Sequence, residues 1–444
     1  MSGAARKGFL AGMLALLALA VAAHAVAAGA VTPPDGCAGV ASLSGSDGNA
    51  GTLDRPYRTV QTLVDSLAPG EVGCLRGATY VEHVVVERGG EPGAPIVISS
   101  YPGEGATLLG RLQINDGADF VTVSSLTLDG RNEQHLPSPS VNGDDVDFIG
   151  NDVTTDNTAI CFDLGPTTYG RAYDTLIQSN RVHHCGTLPA TNLEHGMYVE
   201  HATGASILDN LIYANADRGI QLYPDAQETY VGGNVIDGNG VGVLIGGGVE
   251  DFGEQASSGN VIEHNLITNS TDRYNVESHW GGALVGTGNV VRRNCIFGGA
   301  RAGDGQGVAA ADGFTTEDNL LADPLYQDRD AADFRLRAGS PCLHLETGMA
   351  IGGDDGKAPR GQQDGPPPGL GAAPARAIVQ NDQIAAPASA SHFIHSVRRR
   401  PASSRARHRL RAPRPRLRAP LVRRHRAGRP ASCRRCGTGF SLSR

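Results

Sequence analysis

The tetrapeptide Gly196-Met197-Tyr198-Val199 recurs in form at Gly219-Ile220-Gln221-Leu222 and at Gly242-Val243-Leu244-Ile245, each time 23 residues further along the chain. Apolar residues occupy alternate positions in each copy, as in a strand with one buried face. A short period of this kind is typical of repeat proteins, whose units bury their apolar faces only against neighbouring units. Leucine-rich repeats have a similar period, but these units are rich in Val and Ile and lack a helical pattern. We therefore expect a parallel β-solenoid.

A second recurrence is an Asn followed by apolar residues. It occurs at Asn151, Asn180, Asn210, Asn234, Asn265, Asn294 and Asn319. In a parallel solenoid the coils stack ~4.8 Å apart, close enough for each Asn amide to hydrogen-bond to the Asn above and below. Asn also tolerates the left-handed backbone of a tight bend. These residues therefore predict a structural ladder at one turn of successive coils.

The first 30 residues have the pattern of a secretory signal peptide. Arg6 and Lys7 precede an apolar run from Phe9 to Ala28, and the small-x-small site Ala28-Gly29-Ala30 follows. A retained N-terminal anchor is the alternative, and no other stretch is apolar enough to span a bilayer. We expect a secreted protein, extracellular or on the cell surface, with no membrane span after signal removal.

Eight Cys residues fit the oxidising compartment that secretion implies. The simplest pairing by order along the chain joins Cys37 to Cys74, Cys161 to Cys185, and Cys295 to Cys342. A free buried thiol is the alternative for each of these residues. Cys433 and Cys436 form a lone CxxC, which is only a weak indication of zinc.

Composition separates a body from a tail. Residues 31–365 form the body, residues 366–397 are a linker rich in Pro, Ala and Gly, and residues 398–444 hold 17 Arg and no Lys, Asp or Glu. Residues 1–397 therefore carry a formal charge of −25 and the tail +17. A basic arm could bind nucleic acid, an acidic polymer or the body itself, but the same composition arises from a GC-rich gene read out of frame. We expect a disordered tail and no nucleic-acid binding by the body.

The start of the body predicts a helical cap. Val60, Leu63, Val64 and Leu67 have helical spacing, and Pro69-Gly70 ends the pattern. Strands are expected after it, over residues 79–86, 95–100 and 120–128. An open solenoid end would expose strand edges and apolar core, so a cap at this end has a physical purpose.

Segments at both ends of the body resemble those of one family of proteins. They are Gly45-Ser46-Asp47, Pro56-Tyr57-Arg58-Thr59-Val60-Gln61, Gly77-Ala78-Thr79-Tyr80-Val81-Glu82, Pro95-Ile96-Val97-Ile98, Tyr101-Pro102-Gly103, Ala322-Asp323-Pro324-Leu325-Tyr326, Asp333-Phe334-Arg335-Leu336 and Gly339-Ser340-Pro341-Cys342. They are similar to secreted proteins of the pectate-lyase-like superfamily over residues 45–365. The resemblance implies an all-β fold, a right-handed parallel β-helix with an N-terminal helical cap.

The superfamily includes polysaccharide lyases, galacturonan hydrolases, uronate epimerases, phage tailspikes and proteins of no known activity, so fold alone does not select a function. Its lyases typically bind calcium through acidic residues on an outer sheet and use Lys or Arg as a base. That base removes the C5 proton of a uronic acid, which is weakly acidic until a cation neutralises the neighbouring carboxylate. The resemblance therefore implies carboxylates beside a base on one outward face.

Alternation along the strands predicts which side chains form that face. If the apolar residues of the tetrapeptide copies point inward, the residues between them point outward. Stacking then places Tyr198 beside Gln221. It also places Glu200 beside Tyr223.

One coil earlier the same logic brings in an acidic residue. Ile160 and Phe162 can occupy the inward positions, which would place Asp163 next to Glu200. His195 and Arg218, again 23 residues apart, would occupy the rim of this face. These residues suit the binding of a sugar acid, because Tyr offers a flat surface, Arg forks onto a carboxylate and an acid pair can hold calcium.

The expected roles follow. The candidate site comprises Arg218 and His195 as catalytic residues, Tyr198, Gln221, Tyr223 and Asp225 as substrate-binding residues, and Asp163 and Glu200 as calcium ligands. Outward charged residues are often merely solvated, which is the structural alternative for the cluster.

Two departures from the lyase pattern bear on the activity. Lys7 and Lys357 are the only Lys residues, so a lysine base is absent from the face. Arg218, Arg273, a His or a Tyr would have to serve instead. The epimerase motif Asp-Pro-His-Asp has only Tyr223-Pro224-Asp225 as a counterpart, which lacks the His.

Two further clusters are weaker candidates. His183, His184, Cys185, His195 and His201 could supply transition-metal ligands, although successive residues of a strand point to opposite sides. Glu277, His279 and Trp280 lie on a segment that breaks the period, where loops would overhang the face.

The sequence thus predicts a secreted β-helix that binds an acidic polysaccharide, with lyase or epimerase action on a uronic-acid polymer as the enzymatic hypothesis. Calcium is the expected cofactor. A non-catalytic surface or adhesion solenoid is the alternative, because no lysine base is present and most of the repeated residues are structural.

Overall fold

A computed structural model of the chain describes residues 36–344, apart from residues 168, 249–254, 283, 302–306 and 310–311. The expected signal peptide (1–30), linker (366–397), Arg-rich tail (398–444) and CxxC pair lie outside the described residues. Within the described residues, no helix combines the length and apolar composition that crossing a membrane requires.

Most strands belong to three parallel sheets that run the length of the body. The first sheet contains, in order, β1 (Gly39–Ala41), β2 (Val72–Leu75), β5 (Ile96–Ser100), β8 (Val121–Ser124), β11 (Asp147–Ile149), β15 (Leu176–Gln178), β18 (Ser206–Leu208), β21 (Tyr230–Gly232), β24 (Val261–Glu263), β27 (Asn289–Arg292) and β29 (Phe314–Glu317). The second contains β3 (Thr79–Val81), β6 (Ala106–Leu109), β9 (Leu126–Asp129), β12 (Asp152–Thr154), β16 (Arg181–His183), β19 (Leu211–Tyr213), β22 (Val235–Asp237), β25 (Leu266–Thr268), β28 (Cys295–Phe297) and β30 (Leu320–Leu321). The third contains β4 (Val84–Val86), β7 (Leu112–Ile114), β10 (Ser140–Val141), β13 (Phe162–Leu164), β17 (Met197–Thr203), β20 (Arg218–Gln227), β23 (Val241–Gly247) and β26 (Val276–Trp280), with β14 (Ala172–Tyr173) beside β17.

The chain visits the three sheets in turn and returns to each one coil higher, which makes the fold a right-handed parallel β-helix as predicted. Inward side chains of all three sheets form one continuous core. Phe148 and Phe162 illustrate its packing, since both are fully buried and their rings meet edge to face with centroids 5.0 Å apart. Stacked coils bury each apolar face against the next, as the sequence period required.

Helix α1 (Val60–Ser66) covers the first coil and confirms the predicted cap. The Thr59 side chain caps its N-terminus by accepting from the Thr62 backbone N at 3.2 Å. Val60, Leu63 and Val64 turn their apolar face onto the solenoid end. The expected strands at 79–86 and 120–128 are each divided in two, because the chain turns a corner inside each segment, at Ser125 (φ 56°) in the second.

The predicted Asn ladder is present at the turn between the first and second sheets. From Asn151 to Asn319, each side-chain Nδ2 donates to the Oδ1 of the next Asn at 2.9–3.0 Å. The left-handed residue, however, is the one before each Asn, with φ between 50° and 68°, and not the Asn itself. The reason is that the Asn must keep its amide aligned with the stack, so the bend falls on its neighbour.

Three disulfide bonds confirm the predicted pairing. They join Cys37 to Cys74, Cys161 to Cys185, and Cys295 to Cys342. Disulfides of this kind are typical of proteins that leave the cytoplasm.

The described chain ends in an antiparallel hairpin of β31 (Tyr326–Asp328) and β32 (Asp333–Leu336) and a short 3-10 helix, Pro341–His344. Tyr326 and Phe334 pack here with ring centroids 5.2 Å apart, and Phe334 also contacts Tyr213 of the second sheet. The hairpin therefore packs against part of the second sheet, whereas the loops beside the third sheet come from that sheet's own coils.

Candidate functional site

The outward face of the third sheet carries a straight row of side chains, one from each coil. We call it the outer row, and its members are Gln113, Ser140, Asp163, Tyr198, Gln221, Leu244 and Glu277. Each strand places one such residue outward, because the residues immediately before and after it point into the core. Tyr198 lies beside Gln221, as predicted.

The position of Asp163 corrects the predicted register. Phe162 and Leu164 point inward, whereas Ile160 lies before the strand and is only partly buried. Asp163 is consequently the register partner of Tyr198 and not of Glu200. The error arose because 35 residues separate Asp163 from Tyr198 instead of the usual 23, so the period could not fix the pairing across the insertion.

Asp163 is an acidic side chain buried without a hydrogen-bond partner on its Oδ1. The residue is only 6% exposed. Burial raises the pKa of its carboxyl well above the ordinary value, the charge of Glu200 raises it further, and Arg111 opposes the rise. A buried carboxylate oxygen with no donor is unstable on its own, so this position favours a proton, a cation or a ligand.

Glu200 lies two residues after Tyr198 on β17, where the register between β17 and β20 shifts between Val199 and His201. Its Oε1 accepts hydrogen bonds from the hydroxyl of Thr167 and from the Thr167 backbone N at 3.4 Å. The His201 Nδ1 lies 3.8 Å from the same oxygen. Glu200 therefore fastens the loop after β13 onto the sheet.

His195 and Arg218 occupy paired positions in neighbouring coils, and both are buried. His195 is 1% exposed and Arg218 is 5% exposed. Burial, together with the charge of Arg218, lowers the pKa of His195 well below its ordinary value. The His195 ring packs edge to face on Tyr198 at 5.4 Å, and its Nδ1 has no hydrogen-bond partner.

Their burial accompanies a loop, residues 187–194, which is fastened to the start of β20. The Arg218 guanidinium donates to the carbonyl of Asn192. Asp217 accepts from the backbone N of Asn192 at 2.9 Å and of Glu194 at 2.8 Å. The 23-residue period placed His195 and Arg218 in neighbouring coils. It could not show that the 187–194 loop is hydrogen-bonded to Arg218 and to the adjacent Asp217.

Asp225 is also less accessible than expected. It is 4% exposed, forms an ion pair with Arg171, and accepts from the Gln227 Nε2 at 2.7 Å. Tyr223 and Tyr198, in contrast, are half-buried on the outward face. Their rings are the better placed of the predicted substrate-binding groups.

Unpartnered polar atoms are concentrated on this face. Among the described residues, eleven buried side-chain polar atoms have no hydrogen-bond partner, and eight of them belong to the outer face of the third sheet and the residues that border it. The eight atoms are Asn142 Oδ1, Asp163 Oδ1, His195 Nδ1, Arg218 Nε, Gln221 Oε1, Arg273 Nε, and Glu277 Oε1 and Oε2. Native proteins pair nearly all such groups, so an unpaired concentration marks a place where a ligand or water completes the bonds.

Glu277 closes the far end of the outer row. It is 1% exposed, and burial raises the pKa of its carboxyl, while Arg273 and Arg218 oppose the rise. Arg273 Nε lies 3.0 Å from Glu277 Oε2, although neither carboxylate oxygen has an aligned donor. Sequence reasoning placed Glu277 in a separate cluster because it lies beyond the regular period.

Arg111, Asn142 and Tyr169 were missed altogether. Arg111 precedes β7 and donates from Nη1 to Gln113 Oε1 at 2.7 Å. Tyr169 is 51% exposed in the loop after β13. An exposed Tyr in an insertion was the available signal, but nothing in the spacing connects it to Arg111, which lies two coils away.

Calcium requires several oxygen donors, and the outer face offers few of them from protein carboxylates. No three or more His, Cys, Asp and Glu side chains of the described residues are grouped as metal ligands. Asp163 and Glu200 could supply part of the six to eight oxygens that calcium takes, the unpartnered Oδ1 of Asp163 being the suitable donor. Calcium remains a prediction that needs further oxygens from a sugar or water.

The His cluster does not come together. His183 Nδ1 lies 2.7 Å from His184 Nδ1 and His183 Nε2 lies 2.7 Å from Asp152 Oδ1, all at the second sheet. Cys185 is in a disulfide bond, and His195 and His201 belong to the third sheet. The His residues are therefore divided between two sheets, which keeps them apart although the adjacent His183 and His184 are in contact.

Comparisons with known proteins agree with the coil architecture. The family model described as periplasmic copper-binding protein (NosD) matches residues 140–294. The chain is 37% identical over 71 residues to pectate lyase PEL9 of Emericella nidulans, a match of 16% of this chain and 17% of that protein. It is 31% identical over 98 residues to the uncharacterized protein YwoF of Bacillus subtilis, 20% of this chain and 21% of that protein. The chain thus spans about a fifth of the length of the curated relatives it matches.

Among solved structures, pectate lyase Pel9A is similar with a TM-score of 0.47 and 14% identity, over 68% of this chain and 89% of that structure. The A-module of the mannuronan C-5 epimerase AlgE4 of Azotobacter vinelandii has a TM-score of 0.41 and 16% identity, over 59% of this chain and 71% of that structure. From its three stacked parallel sheets this chain is a right-handed parallel β-helix protein, and its central coils are similar to the NosD family.

Proposed function

We propose that this protein leaves the cytoplasm and binds an acidic polysaccharide along the outer face of its third sheet. The observation that carries the proposal is the concentration of unpartnered buried polar atoms on and beside that face. Five of them lie outside the Arg273–Glu277 ion pair: Asn142 Oδ1, Asp163 Oδ1, His195 Nδ1, Arg218 Nε and Gln221 Oε1. A sugar polymer presents hydroxyl and carboxylate groups at regular intervals, and the outer row presents one side chain per coil at ~4.8 Å spacing. The half-buried rings of Tyr198 and Tyr223 add flat surfaces for sugar rings.

The proposed reaction is lyase or epimerase action on a uronic-acid polymer. Both begin with removal of the C5 proton, which requires a base beside a neutralised sugar carboxylate. Burial lowers the pKa of the Arg218 guanidinium, which is the direction that base catalysis requires, and His195 lies in the neighbouring coil. The short match to pectate lyase PEL9 supports this class of substrate.

Calcium, where it binds, supplies positive charge that neutralises the sugar carboxylate. Asp163 and Glu200 would hold it, with the remaining oxygens from the sugar and water. Arg111 supplies fixed positive charge to the same face, so the chain's own residues also favour an acidic ligand.

A non-catalytic binding solenoid is the second candidate. The observation in its favour is that Arg218 already donates to the Asn192 carbonyl and that His195 is almost fully buried. In that case the two residues anchor the 187–194 loop, and the face binds polymer without changing it.

The test is incubation of the full chain with pectate, alginate and glycosaminoglycans, with and without calcium. Ultraviolet absorbance reports the unsaturated product of a lyase, proton NMR reports epimerised sugars, and calorimetry reports binding. Arg218→Gln is compared with Arg293→Gln, an exposed Arg of the first sheet region. Product formation that Arg218→Gln alone abolishes supports catalysis.

Binding without product on every polymer would support the second candidate. Absence of both binding and product on the whole panel would contradict the proposed function. Unchanged binding and product in Arg218→Gln, with a folded variant, would remove Arg218 from the reaction but leave the binding face.

A further inference from the structure

The loop after β13 forms a braced turn on the outer face. Asn142 Nδ2 donates to the carbonyls of both Pro166, at 3.3 Å, and Gly170, at 2.7 Å, so one amide joins the two ends of the turn. Within the turn, the backbone N of Tyr169 donates to Pro166 O at 2.9 Å. Glu200 accepts from Thr167 on the other side. Pro166, Thr167 and Gly170 are therefore hydrogen-bonded to side chains of two neighbouring coils.

What this turn displays is the ring of Tyr169, which is 51% exposed. A large aromatic ring left in water on a braced turn stabilises no core of its own. Rigid, amphipathic rings of this kind contribute large contact area to a ligand at low entropic cost. Tyr169 is thus a candidate contact for a bound sugar ring.

Arg111 supplies the complementary charge. Its guanidinium donates from Nε to Pro137 O at 3.2 Å and from Nη1 to Gln113 Oε1 at 2.7 Å, both neutral acceptors. Other Arg residues, such as Arg76 and Arg335, are paired with carboxylates. No carboxylate lies within 4.0 Å of Arg111 in the described part of the chain. A half-buried cation held by neutral groups is in position for an external anion.

The two side chains share one region of the face. Arg111 directly precedes β7 (Leu112–Ile114), and the turn that carries Tyr169 reaches the other end of the same strand, where a Cβ on Gly170 would lie 3.6 Å from the Asp116 carboxyl carbon. The Arg111 guanidinium also interacts electrostatically with Tyr169 and Asp163. Arg111 enters from the N-terminal end of the strands, and Tyr169 from the loop beyond their C-terminal end. A ligand that crosses the outer row here would meet a cation and an aromatic ring.

We propose that Arg111 and Tyr169 form a subsite for one sugar-acid residue, in which the guanidinium binds the carboxylate and the ring packs on the sugar face. This subsite rests on the proposed function and specifies its substrate as a polymer with ionised carboxylates. Asn142 and Glu200 act as positioning residues, because they hold the turn and do not need to touch the sugar.

The experiment measures binding of the full chain to polygalacturonate and alginate, and to the fully methyl-esterified form of each, by calorimetry. Esterification removes the charge and keeps the ring. We expect Arg111→Gln to weaken binding of the ionised polymer about tenfold and to abolish its advantage over the ester. Tyr169→Ala should weaken both forms by the same factor, whereas Tyr169→Phe should bind nearly as the unmodified chain.

The chain offers matched controls. Arg131→Gln removes an Arg paired with Asp129 outside the third sheet, and Tyr173→Ala removes a ring that is 45% exposed in β14. Both should keep the original affinities, and thermal melting should show every variant to be folded. Asn142→Ala should weaken binding in the same ester-independent way as Tyr169→Ala.

Three results would overturn the subsite, and they are distinguishable from one another. If the chain binds a polymer and neither Arg111→Gln nor Tyr169→Ala weakens it, the subsite is wrong while the proposed function stands. If Arg111→Gln weakens the ester as much as the ionised polymer, the carboxylate assignment is wrong. If the unmodified chain binds none of the four polymers, the proposed function fails, and the subsite fails with it.

Discussion

Asn234 donates a hydrogen bond from its side-chain Nδ2 to the Oδ1 of Asn265, 2.9 Å away in the next coil. Its own Oδ1 accepts from the backbone N and the Nδ2 of Asn210, both at 2.9 Å, and the residue is fully buried. Asn234→Ala leaves the Asn210 backbone N unpaired in the interior and removes one hydrogen bond each from Asn210 Nδ2 and Asn265 Oδ1, which keep their bonds to Ile177 O and to the backbone N of residue 234. We expect the free energy of unfolding to fall by about 3 kcal/mol or more, measured by chemical denaturation.

Gln134→Ala is the control for this change, since it removes an exposed amide of similar chemistry. It should alter the free energy of unfolding by less than about 0.5 kcal/mol. Equal losses for the two variants would show that the ladder does not stabilise the coils.

The ladder illustrates which parts of the fold a sequence specifies. An amide stack requires the same residue in every coil, so it leaves a visible repeat of Asn. The left-handed residue before each Asn only has to bend, and Gly150, Ser179, Asp209 and His264 all do so. Because no single residue type is required at the position before each Asn, the sequence does not reveal the bend there, and the prediction assigned it to the Asn instead.

The disulfide between Cys161 and Cys185 joins two coils beside the candidate site. The Cys161 backbone N also donates to His195 O at 3.3 Å. Replacing both Cys with Ser removes a cross-link over 24 residues and should reduce stability by about 3 kcal/mol in the chain-entropy description. Thermal melting measures the loss, and hydrogen exchange should rise in the 187–194 loop.

The Cys37 and Cys74 pair gives the matched comparison for that result. Its replacement by Ser should cost a similar amount, because the loop it closes spans 37 residues, yet leave exchange at 187–194 unchanged. Equal hydrogen exchange at 187–194 in both double variants would show that the Cys161–Cys185 bond does not specifically stabilise the loop beside the candidate site.

The candidate site was only partly accessible to sequence reasoning. Regular spacing found Tyr198, Gln221 and Arg218, since each follows the 23-residue period. Arg111 and Tyr169 come together through an insertion and through stacking of coils of unequal length. The period says nothing about where an inserted loop returns to the sheet, and that geometry decides which side chains meet.

Substitution of Asp217 tests the hydrogen bonds that hold the 187–194 loop to the start of β20. Its carboxylate accepts from the backbone N of Asn192 and of Glu194, and it is 6% exposed. Asp217→Ala should release the 187–194 loop, because both backbone donors lose a charged acceptor, each contact contributing about 1–3 kcal/mol. We expect limited proteolysis to cleave this loop several times faster than in the unmodified chain.

Asp272→Ala is the control for Asp217→Ala, since Asp272 is exposed in a neighbouring coil. It should leave the cleavage rate unchanged. A rate in Asp217→Ala equal to that of the control would mean that Arg218 and the disulfide hold the loop without Asp217.

Asp147 makes stability depend on pH. Burial, together with the charge of Asp145, raises the pKa of its carboxyl from 3.8 to about 6. Because the folded state binds this proton more tightly than the unfolded state, the stabilisation that Asp147 provides is complete below pH 3.8. It is lost as the pH rises through about 6. The loss amounts to about 3 kcal/mol.

Asp147→Asn removes this titration, so its melting temperature relative to the unmodified chain should increase as the pH is raised from 4 to 7. Comparing the difference between the two proteins at each pH cancels the contributions of the other carboxyls. Asp54→Asn, at an exposed position, should show a difference that does not change with pH. Parallel melting curves for Asp147→Asn and the unmodified chain across this range would contradict the prediction, since a carboxyl that ionises equally in both states contributes no pH dependence.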